Sequence, residues 1–226
     1  MNTLMRGLLA ATLSASVLSI AAPAPALAEP AAPGAERVRV PVADAIEQLT
    51  VQAEDRTGYK RTSFKHWIDA DRDGCNTRQE VLIQEAVEKP AVGKGCSLTG
   101  GRWHSYYDGQ DTSDPRGLDI DHMVPLAEAW DSSASNWDAK QREAYANDLG
   151  SERSLVAVTA KHNRAKGDKD PTDWWVPSAD ASCQYLSDWV ATKTRWKLTI
   201  DQAEKQALTD RAAQCPDTRI DTELAH

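Results

Sequence analysis

No apolar run in this chain reaches the roughly 20 residues that a membrane-spanning helix needs. The longest, GLLAATLSASVLSIAA, holds about 16 and lies at the N-terminus. Basic residues are also short: 26 Lys plus Arg stand against 34 Asp plus Glu, a formal charge of -8. That balance excludes a protein that coats nucleic acid by bulk electrostatics, although an enzyme can keep a local basic groove within it. Cys-x-x-Cys pairs and Cys/His clusters are missing, which argues against zinc. No internal repeat is found. Phe is nearly absent, one residue against eight Trp, and this shortage discriminates between no functions.

What is present begins with an export signal. Arg6 supplies the only early charge, the apolar run follows, and Ala26-Leu27-Ala28 forms an A-x-A cleavage site. Residues 1–28 are therefore expected to be removed, and the mature chain to be secreted and extracellular, with no membrane attachment. Residues 29–41 (EPAAPGAERVRVP) read as a Pro/Ala-rich tail, and residues 42–226 as a single domain. Four cysteines in an exported chain imply two disulfides, with three pairings open. The local pairs Cys75–Cys96 and Cys183–Cys215 are expected, because they close short loops inside separate structural units.

Periodicity predicts mostly helices. Val42, Ile46 and Leu49 share one helical face, and Thr62 or Ser63 is placed to cap a short helix carrying Phe64, Trp67 and Ile68. Further helices are expected at about 78–87, 126–131, 138–149, 160–167, 183–196 and 200–214. Residues 102–125 read as extended segments broken by turns, and Ser154–Thr159 as a strand. The fold class is α+β: helices around a small β element.

Two stretches carry chemistry. Asp119, Asp121 and His122 lie within four residues in DIDHMVP, and Asn163 and Lys166 open a helix in HNRAKGD. Between them, SLVAVT is placed to pair with the first strand. Alternation sets Asp119 and Asp121 on one strand face and His122 on the other. DxDHxVP with N-x-x-K-G-D after a β run resembles the HNH, or His-Me finger, nucleases. The resemblance is strongest to secreted bacterial members related to the C-terminal domain of GmrSD-type restriction enzymes, and its specific part spans 117–175.

That resemblance implies a ββα-metal core within a mainly helical, disulfide-stabilised domain. It gives His122 the role of general base and makes Asp121 and Asn163 the protein ligands of one Mg²⁺- or Mn²⁺-class ion. Lys166 is implied to sit beside the phosphate. Ser154 takes the place of the Asn that orients the His in many members. Asp119 is a second candidate near the metal, with a turn or salt-bridge role as its alternative, and Glu128 reads as solvated or as a hydrogen-bonding neighbour of the site. Lys161, Arg164 and Lys169 extend the basic run that would meet nucleic acid. An ordinary His, with a pKa of about 6.5, is neutral enough at pH 7 to act as base and loses that ability on acidification.

Asp69-x-Asp71-x-Asp73-Gly74-x5-Glu80 separately fits an EF-hand calcium loop. Asp69, Asp71, Asp73, Thr77, Glu80 and the Cys75 carbonyl would surround Ca²⁺ if helices flanked the loop. The sequence thus supports a monomeric, secreted, metal-dependent endonuclease acting on DNA, or on RNA as well, with little sequence specificity. A non-catalytic extracellular calcium-binding module is the alternative, and a phosphodiesterase acting on small molecules is a third reading.

Overall fold

The computed structural model describes residues 36–225. The expected signal peptide and residues 29–35 of the expected tail lie outside the described residues. The chain opens with strand β1 (Arg37–Pro41), which passes directly into α1 (Val42–Gln48). Then come α2 (Thr77–Glu85), the short strands β2 (Ala91–Val92) and β3 (Leu98–Thr99), and the hairpin β4 (Trp103–Ser105) and β5 (Gln110–Thr112). The central stretch holds β6 (Leu118–His122), α3 (Leu126–Asp131), α4 (Ala139–Ala146), β7 (Leu155–Thr159) and α5 (Ala160–Lys166). It ends with α6 (Ser182–Trp196), α7 (Gln202–Ala212) and β8 (Arg219–Glu223).

The strands form four two-stranded antiparallel pairs: β1–β8, β2–β3, β4–β5 and β6–β7. The first of these corrects the tail expected over 29–41. In β1, Val38 and Val40 pack against the core, while Arg37 and Arg39 reach Asp221 on β8. Two-residue alternation, too short to stand out beside the Pro/Ala-rich flank, makes it a strand.

Two apolar clusters hold the fold. The larger gathers Val42 and Ile46 of α1, Tyr185, Leu186, Trp189 and Val190 of α6, and Val156 and Val158 from one face of β7. The smaller joins Val81 and Leu82 of α2 to Leu118 and Ile120 of β6, Leu155 and Ala157 of β7, and Trp103. The β6–β7 pair is therefore buried on both faces. Cys75–Cys96 and Cys183–Cys215 are bonded, as the spacing predicted.

The helix expected to carry Phe64, Trp67 and Ile68 is not formed. A single 3₁₀ turn at Arg61–Ser63 replaces it, and Trp67 takes a φ of 60°. The apolar side chains of this segment fill separate niches: Phe64 sits in the main core, while Trp67 packs on the smaller cluster.

Candidate active site

The β6–β7 register sets Asp119 opposite Val158, Asp121 opposite Val156 and His122 opposite Leu155. Strand β7 runs without a break into α5, so the helix carrying Asn163 folds back on β6. A cleft of about 210 Å³ opens where β6 ends, lined by Asp121, His122, Asn163, Arg164, Arg61 and Asp168 among others. Because it lies at the strand end, it collects Asp121 from one face and His122 from the other.

Asp121 is buried, and its Oδ2 accepts from the Tyr107 hydroxyl at 2.5 Å and from Lys166 Nζ. Lys166 is wholly buried; its Nζ also donates to the backbone oxygens of His122 (3.1 Å) and Met123 (2.7 Å). This corrects the expectation of a phosphate-facing Lys166: the ammonium is the internal counter-ion of Asp121 and reaches no solvent. Burial raises the Asp121 pKa and lowers that of Lys166, and their mutual attraction opposes both shifts.

His122 is 6% exposed, and its Nε2 lies 3.0 Å from the backbone oxygen of Ala146. A carbonyl only accepts, so Nε2 carries the proton and Nδ1 keeps the lone pair a base needs. Burial pushes the His122 pKa down to about 3, the Ala146 contact opposing. The imidazole is therefore neutral well below pH 6, and the loss of base on mild acidification that an ordinary His implies is not expected here. Trp67 and Tyr145 flank the ring at 5.5 and 6.4 Å between centroids.

The orienting carbonyl does not come from the region of Ser154. Ser154 Oγ donates to Asp148 at 2.6 Å, and its backbone oxygen accepts from Met123 N. Ala146 serves instead, at the end of α4, and the next residue, Asn147, ties that corner down. The Asn147 amide donates to Lys65 O and Glu143 O and accepts from Ile68 N and Thr77 Oγ1. Asn147, Ala146 and Arg61 were missed by sequence reasoning. A backbone contact 24 residues away in sequence leaves no spacing pattern, though an Asn closing a helix just before the β run was a usable signal.

The Asn163 amide nitrogen donates to Asp119 Oδ2 at 3.3 Å, which leaves its oxygen as the group available to a cation. Arg164 is exposed and pairs with Asp119 at 3.2 Å, so Asp119 orients two α5 side chains. Lys161 and Lys169 are exposed on or just after α5, and Lys169 Nζ donates to Ala165 O.

In the 69–80 loop, Asp69, Asp71 and Asp73 bring carboxylate oxygens within 4.8 Å of one another. Gly74 supplies the left-handed turn, with φ 98°. Burial, then repulsion from these aspartates, lifts the Glu80 pKa above its ordinary value. Thr77 does not join them: it is buried, and its hydroxyl donates to Ile68 O and Asn147 Oδ1. Only the exit helix α2 flanks the loop, capped by Asn76 and Gln79. The sulfur of Cys75 is spent in a disulfide.

A strand–strand–helix unit bringing imidazole, carboxylate and carboxamide to one cleft is a layout suited to nuclease-related chemistry. The chain belongs to the family described as GmrSD restriction endonucleases, C-terminal domain, whose sequence model matches residues 78–211. It is also similar to an uncharacterized secreted protein of the fungus Arthroderma benhamiae, 39% identical over 206 residues, which is 91% of this chain and 97% of that protein. The likeness thus extends to a fungal protein, beyond the bacterial members the motif suggested. No solved structure matches.

Proposed function

We propose that the mature chain is a secreted, metal-dependent endonuclease of the HNH type that hydrolyses phosphodiester bonds in DNA, and in RNA as a secondary substrate, with little sequence specificity. The observation that carries this reading is the convergence of His122, Asp121 and Asn163 on one cleft, with His122 Nδ1 holding a free lone pair. Secretion is supported by the description of the fungal relative and by two disulfides. No helix among the described residues is long and apolar enough to cross a membrane.

The oxygens of Asp121 and Asn163 fit a hard cation such as Mg²⁺ or Mn²⁺, which when bound supplies charge neutralisation at the scissile phosphate. His122 Nδ1 takes the proton of the attacking water, and the Ala146 carbonyl fixes the ring so that this nitrogen faces the cleft. Arg61 and Arg164 sit at the cleft to meet phosphate oxygens. Lys166 acts through Asp121, holding its carboxylate in place. Plasmid nicking by purified mature protein is the test. Nicking should be abolished by EDTA, restored by Mg²⁺ or Mn²⁺, and lost in His122→Ala; a folded protein that nicks with none of these metals overturns the reading.

The gathering of Asp69, Asp71 and Asp73 favours Ca²⁺ at the 69–80 loop, as an addition to the nuclease or, without nicking, as a calcium-binding module. Under either, Ca²⁺ should raise the melting temperature, and Glu80→Ala should reduce that rise.

A further inference from the structure

Beside the His122 cleft, Glu54, Glu128, Asp170 and Asp201 are among the residues that line a second depression of about 380 Å³, and Asp131 lies against Glu54 and Glu128 at its edge. Glu54, Glu128 and Asp131 bring one carboxylate oxygen each within 4.8 Å of one another, and Glu54 does the same with Asp170 and Asp201. Glu128 and Asp131 stand three residues apart on α3, hence on one helical face. Positive charge falls short of balancing them. Arg56 Nε donates to Asp131 Oδ2 at 2.5 Å. Lys193 Nζ donates to Glu128 Oε1 at 2.8 Å, but it is shared with Glu204 at 2.7 Å.

A second observation is independent of this crowding. Asp131 Oδ1 is buried and has no hydrogen-bond partner among the described residues, on a side chain only 2% exposed. Buried carboxylate oxygens are almost always satisfied, so an orphan of this kind calls for a ligand. With Arg56 taking Oδ2, only Oδ1 is left to bind one. The set contains no nitrogen or sulfur donor, which favours a hard cation over zinc or copper.

We infer that this pocket binds one divalent cation of the Ca²⁺ class through Glu54, Glu128 and Asp131, with Asp170 and Asp201 adding charge or water-mediated contacts. The ion ties the 54–56 segment to α3, which begins four residues after His122. Asp168 borders both this pocket and the His122 cleft, so the ion also removes negative charge beside the place where a polyanion would bind.

The test is calorimetric titration of Ca²⁺ into EDTA-stripped mature protein carrying Asp71→Asn and Glu80→Gln, which silence the 69–80 loop. Saturable binding is expected, weakened at least tenfold by adding Glu54→Gln and lost on adding Asp131→Asn. Glu54 is exposed, so Glu54→Gln tests the site without threatening the fold. Ca²⁺ binding that survives Glu54→Gln unchanged belongs to another site, such as the Asp121–Asn163 cleft, and overturns the proposal. It is equally overturned if the loop-silenced protein takes up no Ca²⁺ at millimolar concentration.

Discussion

His122 and Lys166 are both buried, yet their donors and acceptors are spent differently. His122 commits one nitrogen to Ala146 and keeps the other, whereas Lys166 directs its ammonium wholly into the protein. Their substitutions should therefore separate. His122→Ala should cut nicking by roughly 10²–10⁴-fold and cost about 1–3 kcal/mol of stability, because it leaves the buried Ala146 carbonyl unpaired. Lys166→Ala strands the Asp121 carboxylate in the core and should cost about 3–5 kcal/mol, seen as a large fall in denaturation midpoint. A Lys166→Ala protein of native stability would show that the ion pair is not what holds Asp121. Glu85 offers a pH test away from the cleft. Its Oε2 accepts from Ala157 N at 2.7 Å, and burial pushes its pKa up to about 7. A raised carboxyl favours the fold while protonated, so this contribution is full below the ordinary pKa and fades as pH climbs towards 7. Glu85→Gln keeps an acceptor for Ala157 N–H. It should be near neutral at pH 5 and should stabilise by roughly 1–3 kcal/mol at pH 8, as denaturant curves at the two pH values will show.

Among the elements, those with a local signal were legible and those closed by distant partners were not. The spacing of Val42, Ile46 and Leu49 foretold α1, and SLVAVT foretold β7, because one-face periodicity and β-branched runs are properties of a few adjacent residues. Strands β1 and β8 exist only through each other, across more than 170 residues of chain, and neither was read. The segment after Ser63 had a helical pattern of apolar residues, but Phe64 and Trp67 are claimed by two different clusters, and tertiary packing overrode the local pattern. The same division holds in the site. Asp121, His122 and Asn163 were readable from motif spacing, while Ala146, Asn147 and Arg61 arrive by folding. The Cys75–Cys96 bridge anchors the 69–80 loop to the turn before β3, closing a separation of 21 residues. Replacing both cysteines by Ser should cost about 3 kcal/mol by loop entropy and loosen the aspartates. If differential scanning calorimetry shows no loss, the packing of α2 alone holds this region.

For the whole molecule, the proposed function sets an acidic protein against a polyanionic substrate. The chain carries a formal charge of -8, and the pocket around Glu54 concentrates negative charge beside the cleft. On the proposed reading, attraction is local, from Arg61 and Arg164 at the cleft and Lys161 on the same helix as Arg164. The exposed pair of Arg164 with Asp119 holds that guanidinium only weakly, since exposed ion pairs contribute about 0–1 kcal/mol, so it can turn to a phosphate. Few phosphate contacts mean modest, salt-sensitive binding. With about three contacts, the slope of log affinity against log salt should lie near -3, and each basic residue removed should lower its magnitude by about 1. Fluorescence anisotropy with a short duplex and the His122→Ala protein measures this without cleavage. Arg61→Ala should shift the slope towards -2 and weaken binding alike on unrelated sequences, because a phosphate contact reads no base. An unchanged slope in Arg61→Ala would remove Arg61 from the interface, and a slope far steeper than -3 would mean that the polyanion follows a track of basic residues well beyond this cleft.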